Sequence, residues 1–469
     1  MTPCGHRLNT HRNNPRSIPT WQFISNFHVS TENMKQAEII VIGAGAAGLM
    51  AAATLAKAGR KVLVLEARDR TGGRIHTIRN EQGLPFAELG AEFIHGNLPV
   101  TLALLKEAGI SYNDTRYEMF HHHEGRIQQG DEPIEGWDEL LEKMQQLQAD
   151  LPLGAFLDQH FAGDQYVGMR EEITAFVNGY DTASLSDVST FAIRSEWEHE
   201  DDEAQHRVTA GYGAMIRYLE EVCIKGGGEI VLQQEVERID WAEATAMVHT
   251  RDRQVYQAGK VVLALPLGVL QQPATLRFHP AIPGHTAALH DIGFGAIIKI
   301  LLQFASPFWM EDAAFGNPAL PNNTTRLVVS GETVPTYWTQ TTPGSTLLTG
   351  WLGGPPAWNL RTQSPEAILQ ATLQSLSNIF RQDAGALQAQ LTGWRVVNWT
   401  NDPFTRGSYA YDKVPSSAAR KVLQQPVAGK LYFAGEYLYE GPAMGTVEAA
   451  LTSGMQVAEK ILLKDTPVA

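Results

Sequence analysis

A short apolar run, a glycine turn, an alanine-rich segment and a second apolar run follow one another near the start of the chain. The first run is Ile39–Ile42 and the second is Val62–Leu65. Short runs that are apolar at every position are typical of strands buried on both faces of a parallel sheet, and the alanine-rich segment has the length of a helix. The pattern therefore predicts a strand–helix–strand unit.

The glycine turn has the G-x-G-x-x-G spacing of a dinucleotide-binding motif, at Gly43, Gly45 and Gly48. Gly43 allows the tight turn, Gly45 lets the backbone approach a pyrophosphate, and Gly48 lets the helix lie close to the sheet. The helix N-terminus then presents free N–H groups to the phosphates. Glu66 ends the second run, where a carboxylate can accept hydrogen bonds from ribose hydroxyls.

Arginines and a glycine pair follow this carboxylate at once. Arg68 and Arg74 flank Gly72-Gly73. Their guanidinium groups could serve a cofactor longer than NAD, such as FAD, at its pyrophosphate and flavin end. The alternative is a surface arginine loop.

The pattern becomes helical from Leu98 to about position 204. Three histidines at His121–His123 precede Glu124-Gly125 and a second short run, which predicts a hairpin tip rather than a metal site. The densest acidic cluster, positions 196–203, is by itself most typical of a solvated loop.

Two later apolar runs are predicted to form strands in different parts of the fold. Val255–Leu265 predicts strands that return to the nucleotide-binding sheet, whereas Gly293–Phe304 predicts a strand that carries one lysine, Lys299. A lysine in such a strand is costly unless it is partnered or functional. The alternative is an edge position from which its amine reaches water. Residues 364–380 predict a helix.

Composition narrows the class of protein. The chain has 469 residues, a hydrophobic fraction of 43%, a formal net charge of −14 and only two cysteines. The acidic balance disfavours nucleic-acid binding and suits cationic ligands, and the cysteine count fits a reducing compartment, so we expect a cytoplasmic protein. No apolar run is long enough to span a membrane. The basic, acid-poor leader, residues 1–33, could be an organelle transit peptide, but it has little amphipathic periodicity, so we expect an unstructured extension.

Five segments together resemble the flavin-containing amine oxidases, a group that includes monoamine oxidases, polyamine oxidases and flavin-type histone lysine demethylases. They are the first glycine motif, the arginine turn, the Lys299 strand, Trp399–Tyr411 and Phe433–Gly454. The resemblance runs from about Ile39 to Leu463. It implies FAD and the oxidation of a C–N bond.

The resemblance also implies the fold. We expect an α/β protein with a Rossmann-like FAD-binding domain, of the two-domain type of p-hydroxybenzoate hydroxylase, and an α+β substrate domain. Residues 34–96, 205–291 and 393–469 are expected to form the FAD-binding domain, and residues 97–204 and 292–392 the substrate domain.

The family pattern assigns roles to particular residues. Lys299 would hold a water against the hydride-accepting nitrogen of the flavin, and Tyr409 would form an aromatic wall above it. The expected catalytic residues are Lys299, Tyr409, Trp399 and Thr446. The expected cofactor-binding residues are Gly43, Gly45, Ala46, Ala47, Gly48, Glu66, Ala67, Arg68, Gly73, Arg74, Gly90, Ala91, Glu92, Phe93, Val236, Trp399, Gly435, Glu436, Gly445, Thr446 and Val447. No metal is expected.

The chain departs from the monoamine oxidases at two positions. Ser408 stands where they carry a flavin-linked cysteine, so the FAD should be bound non-covalently. Thr446 stands where they have a second cage tyrosine, which leaves one aromatic wall and a wider cavity.

The resemblance predicts an FAD-dependent amine oxidase that uses dioxygen, releases hydrogen peroxide and acts on a cationic amine, including a polyamine. The acidic cluster supports this substrate if it lines the entrance. An L-amino-acid oxidase is an alternative and requires an arginine in the chamber, for which Arg116, Arg194 and Arg207 are among the candidates. A desaturase or protoporphyrinogen-oxidase type of flavoenzyme and a catalytically idle FAD-binding scaffold are further alternatives. We expect a monomer or homodimer without a membrane anchor.

Overall fold

Two large β-sheets organise the chain in the computed structural model. It describes residues 35–465 except 124, 131–134, 200–204, 322–323, 343 and 442. The predicted extension, residues 1–33, lies outside the described residues. The strands are β1 (Lys35–Ile42), β2 (Val62–Leu65), β3 (Thr77–Glu81), β4 (Leu84–Glu88), β5 (Ile94–His95), β6 (Tyr112–Asp114), β7 (Arg116–His123), β8 (Arg126–Gln129), β9 (Gln205–Val208), β10 (Glu229–Val231), β11 (Val236–Trp241), β12 (Ala246–Thr250), β13 (Val255–Leu263), β14 (Arg277–His279), β15 (Gly293–Phe294), β16 (Ile297–Phe304), β17 (Thr324–Ser330), β18 (Thr336–Thr339), β19 (Leu347–Gly353), β20 (Leu391–Asn398), β21 (Ala410–Tyr411) and β22 (Leu431–Phe433).

Helices cover the sheets and connect their strands. They are α1 (Ala46–Lys57), α2 (Pro99–Glu107), α3 (Trp137–Gln146), α4 (Leu153–His160), α5 (Val167–Gly179), α6 (Thr190–His199), α7 (Gly213–Lys225), α8 (Leu267–Leu270), α9 (Pro283–His290), α10 (Gly354–Leu360), α11 (Pro365–Phe380), α12 (Ala384–Gln390), α13 (Ser416–Leu423) and α14 (Val447–Asp465). The predicted helix at 364–380 is confirmed, and the Ser364 hydroxyl caps it by accepting the Ala367 N–H at 3.2 Å.

The first sheet contains the strand–helix–strand unit. Its strand order is β10-β2-β1-β13-β12-β11-β14, and β22 also pairs with β13. The predicted strand–helix–strand unit is confirmed, since β1 pairs in parallel with β2 and α1 lies between them in the chain. Ile39 and Val41 point into one hydrophobic core while Ile40 and Ile42 point into another. Burial on both faces explains why the run has no polar position.

The second sheet has the order β20-β16-β19-β18-β17-β7-β8. Its strand β16 carries Lys299 and lies between β19 and β20, both antiparallel to it. This position contradicts the alternative that Lys299 lies at a sheet edge. The predicted hairpin after His121–His123 is confirmed, because β7 pairs with β8 there.

The strands of the two sheets come from the chain segments that we assigned to the two domains, with one adjustment. Strand β20 spans the expected boundary at residues 392/393 and pairs with β16 of the second sheet. We therefore propose a boundary after Asn398. Among the described residues, no helix is both long and apolar enough to cross a membrane.

Candidate active site

The head of helix α1 forms a backbone cradle. Gly43 has φ of +102°, and an added Cβ there would lie 2.5 Å from the Ala264 carbonyl oxygen. A Cβ at Gly48 would lie 1.9 Å from the Gly43 oxygen, which is the close helix packing predicted for it. A Cβ at Gly45 meets nothing within 4 Å, and no side chain caps the helix there. The free N–H groups therefore face open space at a position suited to phosphate.

Glu66 lies buried at the end of strand β2, beside this cradle. Its carboxylate oxygens accept the backbone N–H groups of Ala44 at 2.7 Å and Arg68 at 2.9 Å. A carboxylate has about four lone-pair sites, so it retains capacity for ribose hydroxyls. Ala67 and Val236 line the cavity next to it.

One continuous cavity of about 2230 Å³ connects this cradle with the second sheet. Ligand pockets commonly measure about 300–1,000 Å³, so this cavity has room for a dinucleotide and a substrate together. All of the predicted site residues except Gly48 line it. These observations fit FAD.

The two arginines of the glycine turn are paired within the protein. The Arg68 guanidinium contacts the Asp402 carboxylate at 2.5 Å and donates to the Thr405 hydroxyl at 3.0 Å. Arg74 donates to Glu436 at 2.7 Å. Their charges are therefore largely balanced by protein carboxylates, and they tie the N-terminal turn to the C-terminal segment. This argues against the alternative of a surface loop.

Lys299 is 1% exposed, and its ammonium pairs with the Glu92 carboxylate. The sequence analysis predicted only a cofactor-binding role for Glu92. Lys299 Nζ lies 2.7 Å from Glu92 Oε2 and donates to the Gly90 carbonyl oxygen at 3.1 Å. The Arg207 guanidinium lies 2.9 Å from the other oxygen, Glu92 Oε1. Burial raises the pKa of Glu92, but the two cations outweigh it and bring the value to about 2. The group is an ionised triad.

Aromatic and amide donors complete the surroundings of Glu92. Trp338 Nε1 lies 3.3 Å from its carboxylate oxygens and Gln340 Nε2 lies 3.2 Å from Oε1. Lys299 Nζ is also 5.4 Å from the centre of the Trp338 ring. The need of a buried lysine for a partner was the only sequence signal for this network, and it did not identify Glu92.

Tyr409, Trp399 and Thr446 also line the cavity. The Tyr409 hydroxyl donates to the Tyr180 carbonyl oxygen, and Trp399 Nε1 donates to the Leu89 carbonyl oxygen at 2.9 Å. The Thr446 hydroxyl precedes helix α14 and accepts the Ala449 N–H at 3.3 Å. Thr446 thus caps a helix whose N–H groups open toward the cavity.

A second pair of carboxyl groups, which the sequence analysis missed as a pair, lines the cavity at Asp181 and Glu196. The two side chains are hydrogen-bonded to each other, and burial raises the pKa of Glu196 to about 7. The predicted solvated loop is wrong for Glu196 and Glu198, because both lie in helix α6. The rest of the acidic cluster, positions 200–203, lies outside the described residues.

No metal centre is visible in the part of the chain that the structure describes. It contains no group of three or more His, Cys, Asp or Glu side chains that could hold an ion. His121–His123 belong to strand β7.

Comparison with known proteins points to one family. The model of the family "flavin containing amine oxidoreductase" matches residues 46–462. The chain is 29% identical over 458 residues to lysine-specific histone demethylase 2 of Homo sapiens, covering 90% of this chain and 53% of that protein. It is 25% identical over 476 residues to amine oxidase [flavin-containing] B of Canis lupus familiaris, covering 91% and 86%. The chain spans about half the length of the demethylases that it matches.

Solved structures show the same fold. Putrescine oxidase bound to putrescine has a TM-score of 0.74 at 20% identity, covering 92% of this chain and 100% of that chain. Cyclohexylamine oxidase from Brevibacterium oxydans IH-35A has a TM-score of 0.74 at 21% identity, covering 91% and 99%. The predicted two-domain flavoprotein fold is confirmed.

Proposed function

Because the chain belongs to the flavin containing amine oxidoreductase family, whose cofactor is FAD, we propose that it is an FAD-dependent oxidase of a cationic amine. The observation that carries the proposal is the single cavity that joins the glycine cradle of α1 to the buried Lys299–Glu92 pair and the Tyr409 ring.

The chemistry supplied by bound FAD would be acceptance of a hydride from the carbon next to the amine nitrogen, with dioxygen as the final electron acceptor and hydrogen peroxide as its product. The backbone at Gly43 and Gly45 would hold its pyrophosphate, and Glu66 its ribose. The imine product hydrolyses to a carbonyl compound in water.

Lys299 supplies a fixed positive charge on the cavity wall. Two of its three N–H groups are engaged by Glu92 and the Gly90 carbonyl oxygen. The third is available to orient a water in the cavity, and the Glu92 carboxylate keeps the ammonium in place. A charge that is positioned in advance costs no reorganisation during the reaction.

The substrate end of the cavity carries acidic and aromatic side chains. Exposed carboxylates of Glu135, Glu171 and Glu172 line it, and would raise the local concentration of a cation. The Tyr409 face can then bind and orient the amine. Transfer of the α-hydrogen requires the neutral amine, so these groups attract the substrate before it loses its proton.

The amino-acid oxidase alternative finds no support in the cavity. Among the described lining residues, none is Arg116, Arg194 or Arg207. Arg207 is engaged by Glu92, and Arg194 donates to the Met144 carbonyl oxygen at 2.8 Å. The arginines that do line the cavity, Arg68, Arg74 and Arg420, are each paired with a carboxylate of the protein. A substrate carboxylate would therefore have to compete with an existing ion pair for any of these three arginines.

The test is a panel of monoamines, diamines, polyamines and L-amino acids mixed with the purified holoprotein without air. We expect a cationic amine to bleach the flavin absorbance, and admission of air to restore it with release of peroxide. Bleaching by an amino acid alone would support the alternative oxidase. A bound flavin that no compound bleaches would identify an idle scaffold and contradict the proposal.

A further inference from the structure

We propose that Arg207 is a positioning residue for Lys299: it fixes the lysine ammonium through the Glu92 carboxylate, and its charge leaves these three groups with a net positive charge beside the flavin. This inference rests on the proposed function, because it concerns the surroundings of Lys299 in the same cavity.

Arg207 acts from outside the cavity. It lies in strand β9, is 9% exposed and is not among the described residues that line the cavity. Its Nη2 atom lies 2.9 Å from Glu92 Oε1, whereas Lys299 Nζ lies 2.7 Å from Glu92 Oε2. The two cations therefore hold different oxygens of one carboxylate, and Glu92 connects them.

Gln340 and Phe93 fix the position of the guanidinium. Arg207 Nη1 donates to Gln340 Oε1 at 3.0 Å, and Gln340 Nε2 donates to Glu92 Oε1 at 3.2 Å. The Phe93 ring centre lies 4.2 Å from the guanidinium carbon, within the range of a cation–π contact. A planar guanidinium held in this way orients a carboxylate more tightly than a flexible ammonium can. Glu92 Oε2 is thereby kept in place for Lys299.

One carboxylate shared between two cations leaves an excess positive charge. The Arg68 guanidinium pairs with the Asp402 carboxylate, which makes one neutral ion pair. Glu92 instead neutralises only one of its two cations. Without Arg207, the charges of Lys299 and Glu92 would cancel. A positive charge at the cavity wall favours the reduced, more negative form of a flavin bound there.

The second cation also keeps Glu92 ionised. Burial raises the pKa of this carboxyl group, while Lys299 and then Arg207 lower it, to about 2. A protonated Glu92 would attract the ammonium less strongly than the carboxylate does. Charge and geometry therefore give Arg207 the same role.

The first experiment measures the reduction potential of the flavin in the holoprotein, by reduction without air in the presence of a reference dye. Arg207→Gln removes one positive charge, so we expect the equilibrium to shift about tenfold toward oxidised flavin, which is about 30 mV for a two-electron couple. Glu92→Gln removes the negative charge, so its potential should rise by a similar amount. Loss of a merely structural contact would not give shifts of opposite sign.

Arg326→Gln is the matched control. Arg326 is also buried, at 7% exposed, and lies in strand β17, where it donates to the Asn317 carbonyl oxygen at 3.2 Å. It is not among the described residues that line the cavity. Its replacement should leave the potential at the wild-type value. Arg207→Lys, which retains the charge, should also remain near that value.

The second experiment combines the two changes. The double variant Arg207→Gln/Glu92→Gln leaves Lys299 as the one charge of the three, so its potential should return to the wild-type value. If Arg207→Gln alone does not retain FAD, the comparison of Glu92→Gln with the double variant replaces it, and the double variant should have the lower potential. A wild-type potential in Arg207→Gln, or equal potentials in Glu92→Gln and the double variant, would overturn the proposal.

The outcomes distinguish this inference from the proposed function. Lys299→Met also removes one positive charge, so its potential should fall with that of Arg207→Gln. If amines bleach the flavin and only Lys299→Met lowers the potential, the role of Arg207 is wrong and the oxidase proposal stands. If no amine bleaches the flavin, the oxidase proposal fails, whatever the potentials show.

Discussion

Lys299 illustrates what a charged residue requires inside an apolar strand. An isolated ammonium in such a place costs several kcal/mol, and its partners Glu92 and Arg207 form a triad with one net positive charge. The Arg207 side chain stabilises Glu92 rather than Lys299, so the carboxylate can keep its charge even when the lysine is removed. Replacement of the lysine should therefore change the chemistry of the site more than the stability of the fold.

Lys299→Met tests that chemistry. We expect the variant to retain FAD, since the glycine cradle lies elsewhere, and to turn over about 100-fold more slowly, which is the usual effect of removing one preorganised polar group. Rapid mixing should show the reaction of reduced flavin with dioxygen slowed at least as much as amine oxidation. Unchanged turnover would leave Lys299 with a purely structural role.

Glu92→Gln tests the structural part of the triad. It leaves Lys299 and Arg207 buried without a counter-charge, so we expect the free energy of unfolding to fall by about 3 kcal/mol. Denaturant unfolding measures the change. Glu81→Gln is the matched control, because Glu81 contacts Arg395 at 3.3 Å on the surface, where ion pairs contribute little. Equal losses in both variants would show that the triad is no stronger than a surface pair.

Ser408 predicts how the flavin is held. Its hydroxyl is buried and bonded to the Thr182 hydroxyl at 2.5 Å, and a serine cannot form the thioether that a cysteine forms. The one cysteine among the described residues, Cys223, lies in α7 and does not line the cavity. We therefore expect acid or heat denaturation to release all of the flavin into the supernatant. Flavin that sediments with the precipitated chain would contradict a non-covalent site.

At the scale of elements, patterns in the sequence predicted those helices and strands that are determined by residues close together in the chain. Strand β1, helix α1 and strand β2 follow from one apolar and glycine pattern, and Ser364 marked the start of α11. The Lys299–Glu92 and Asp181–Glu196 pairs depend instead on how separate elements pack. Glu92 precedes strand β5, whereas Lys299 lies in strand β16, and no local periodicity records their contact.

Helix α6 shows the same limit of sequence-based prediction within a single element. Its charged residues suggested a solvated loop, yet Glu196 turns toward the cavity while Glu198 is exposed. Side chains two positions apart on a helix point in different directions. The charge count of the cluster therefore could not reveal which carboxylate serves the cavity.

The head of helix α1 allows a direct test of the cofactor cradle. Gly45 lies in extended backbone, at φ of −78°, and an added Cβ atom meets no protein atom within 4 Å. Gly45→Val should therefore fold normally but occupy the space of the pyrophosphate, so we expect the purified protein to lose most of its FAD. Gly284→Val in α9 is the control, because its Cβ also meets nothing and it does not line the cavity. A full flavin content in Gly45→Val would show that the cofactor binds elsewhere.

At the scale of the whole molecule, several carboxyl groups are buried in a chain whose net charge is already −14. Burial raises the pKa values of both Glu88 and Glu196 from 4.5 to about 7, against the lowering effect of their hydrogen bonds. Glu92, with two cations beside it, has a lowered pKa of about 2. The protein therefore buries carboxyl groups whose protonation affects the free energy of unfolding in opposite directions.

These pKa shifts predict how the free energy of unfolding depends on pH. Between about pH 4.5 and pH 7 the folded protein keeps protons on Glu88 and Glu196 that the unfolded chain has released, so both groups make stability fall as the pH rises. Glu92 is ionised in both states over this range and contributes a constant amount to the free energy of unfolding.

Glutamine imitates the protonated carboxyl, so Glu88→Gln should gain stability relative to the wild type, by up to about 1.4 kcal/mol for each pH unit. Denaturant unfolding of the holoprotein at pH 5, 6 and 7 measures the difference, and Glu243→Gln, at an exposed position, is the control. Profiles of Glu88→Gln and wild type that stay parallel over this range would show that Glu88 is already ionised in the folded protein, and that its surroundings are better solvated than its burial indicates.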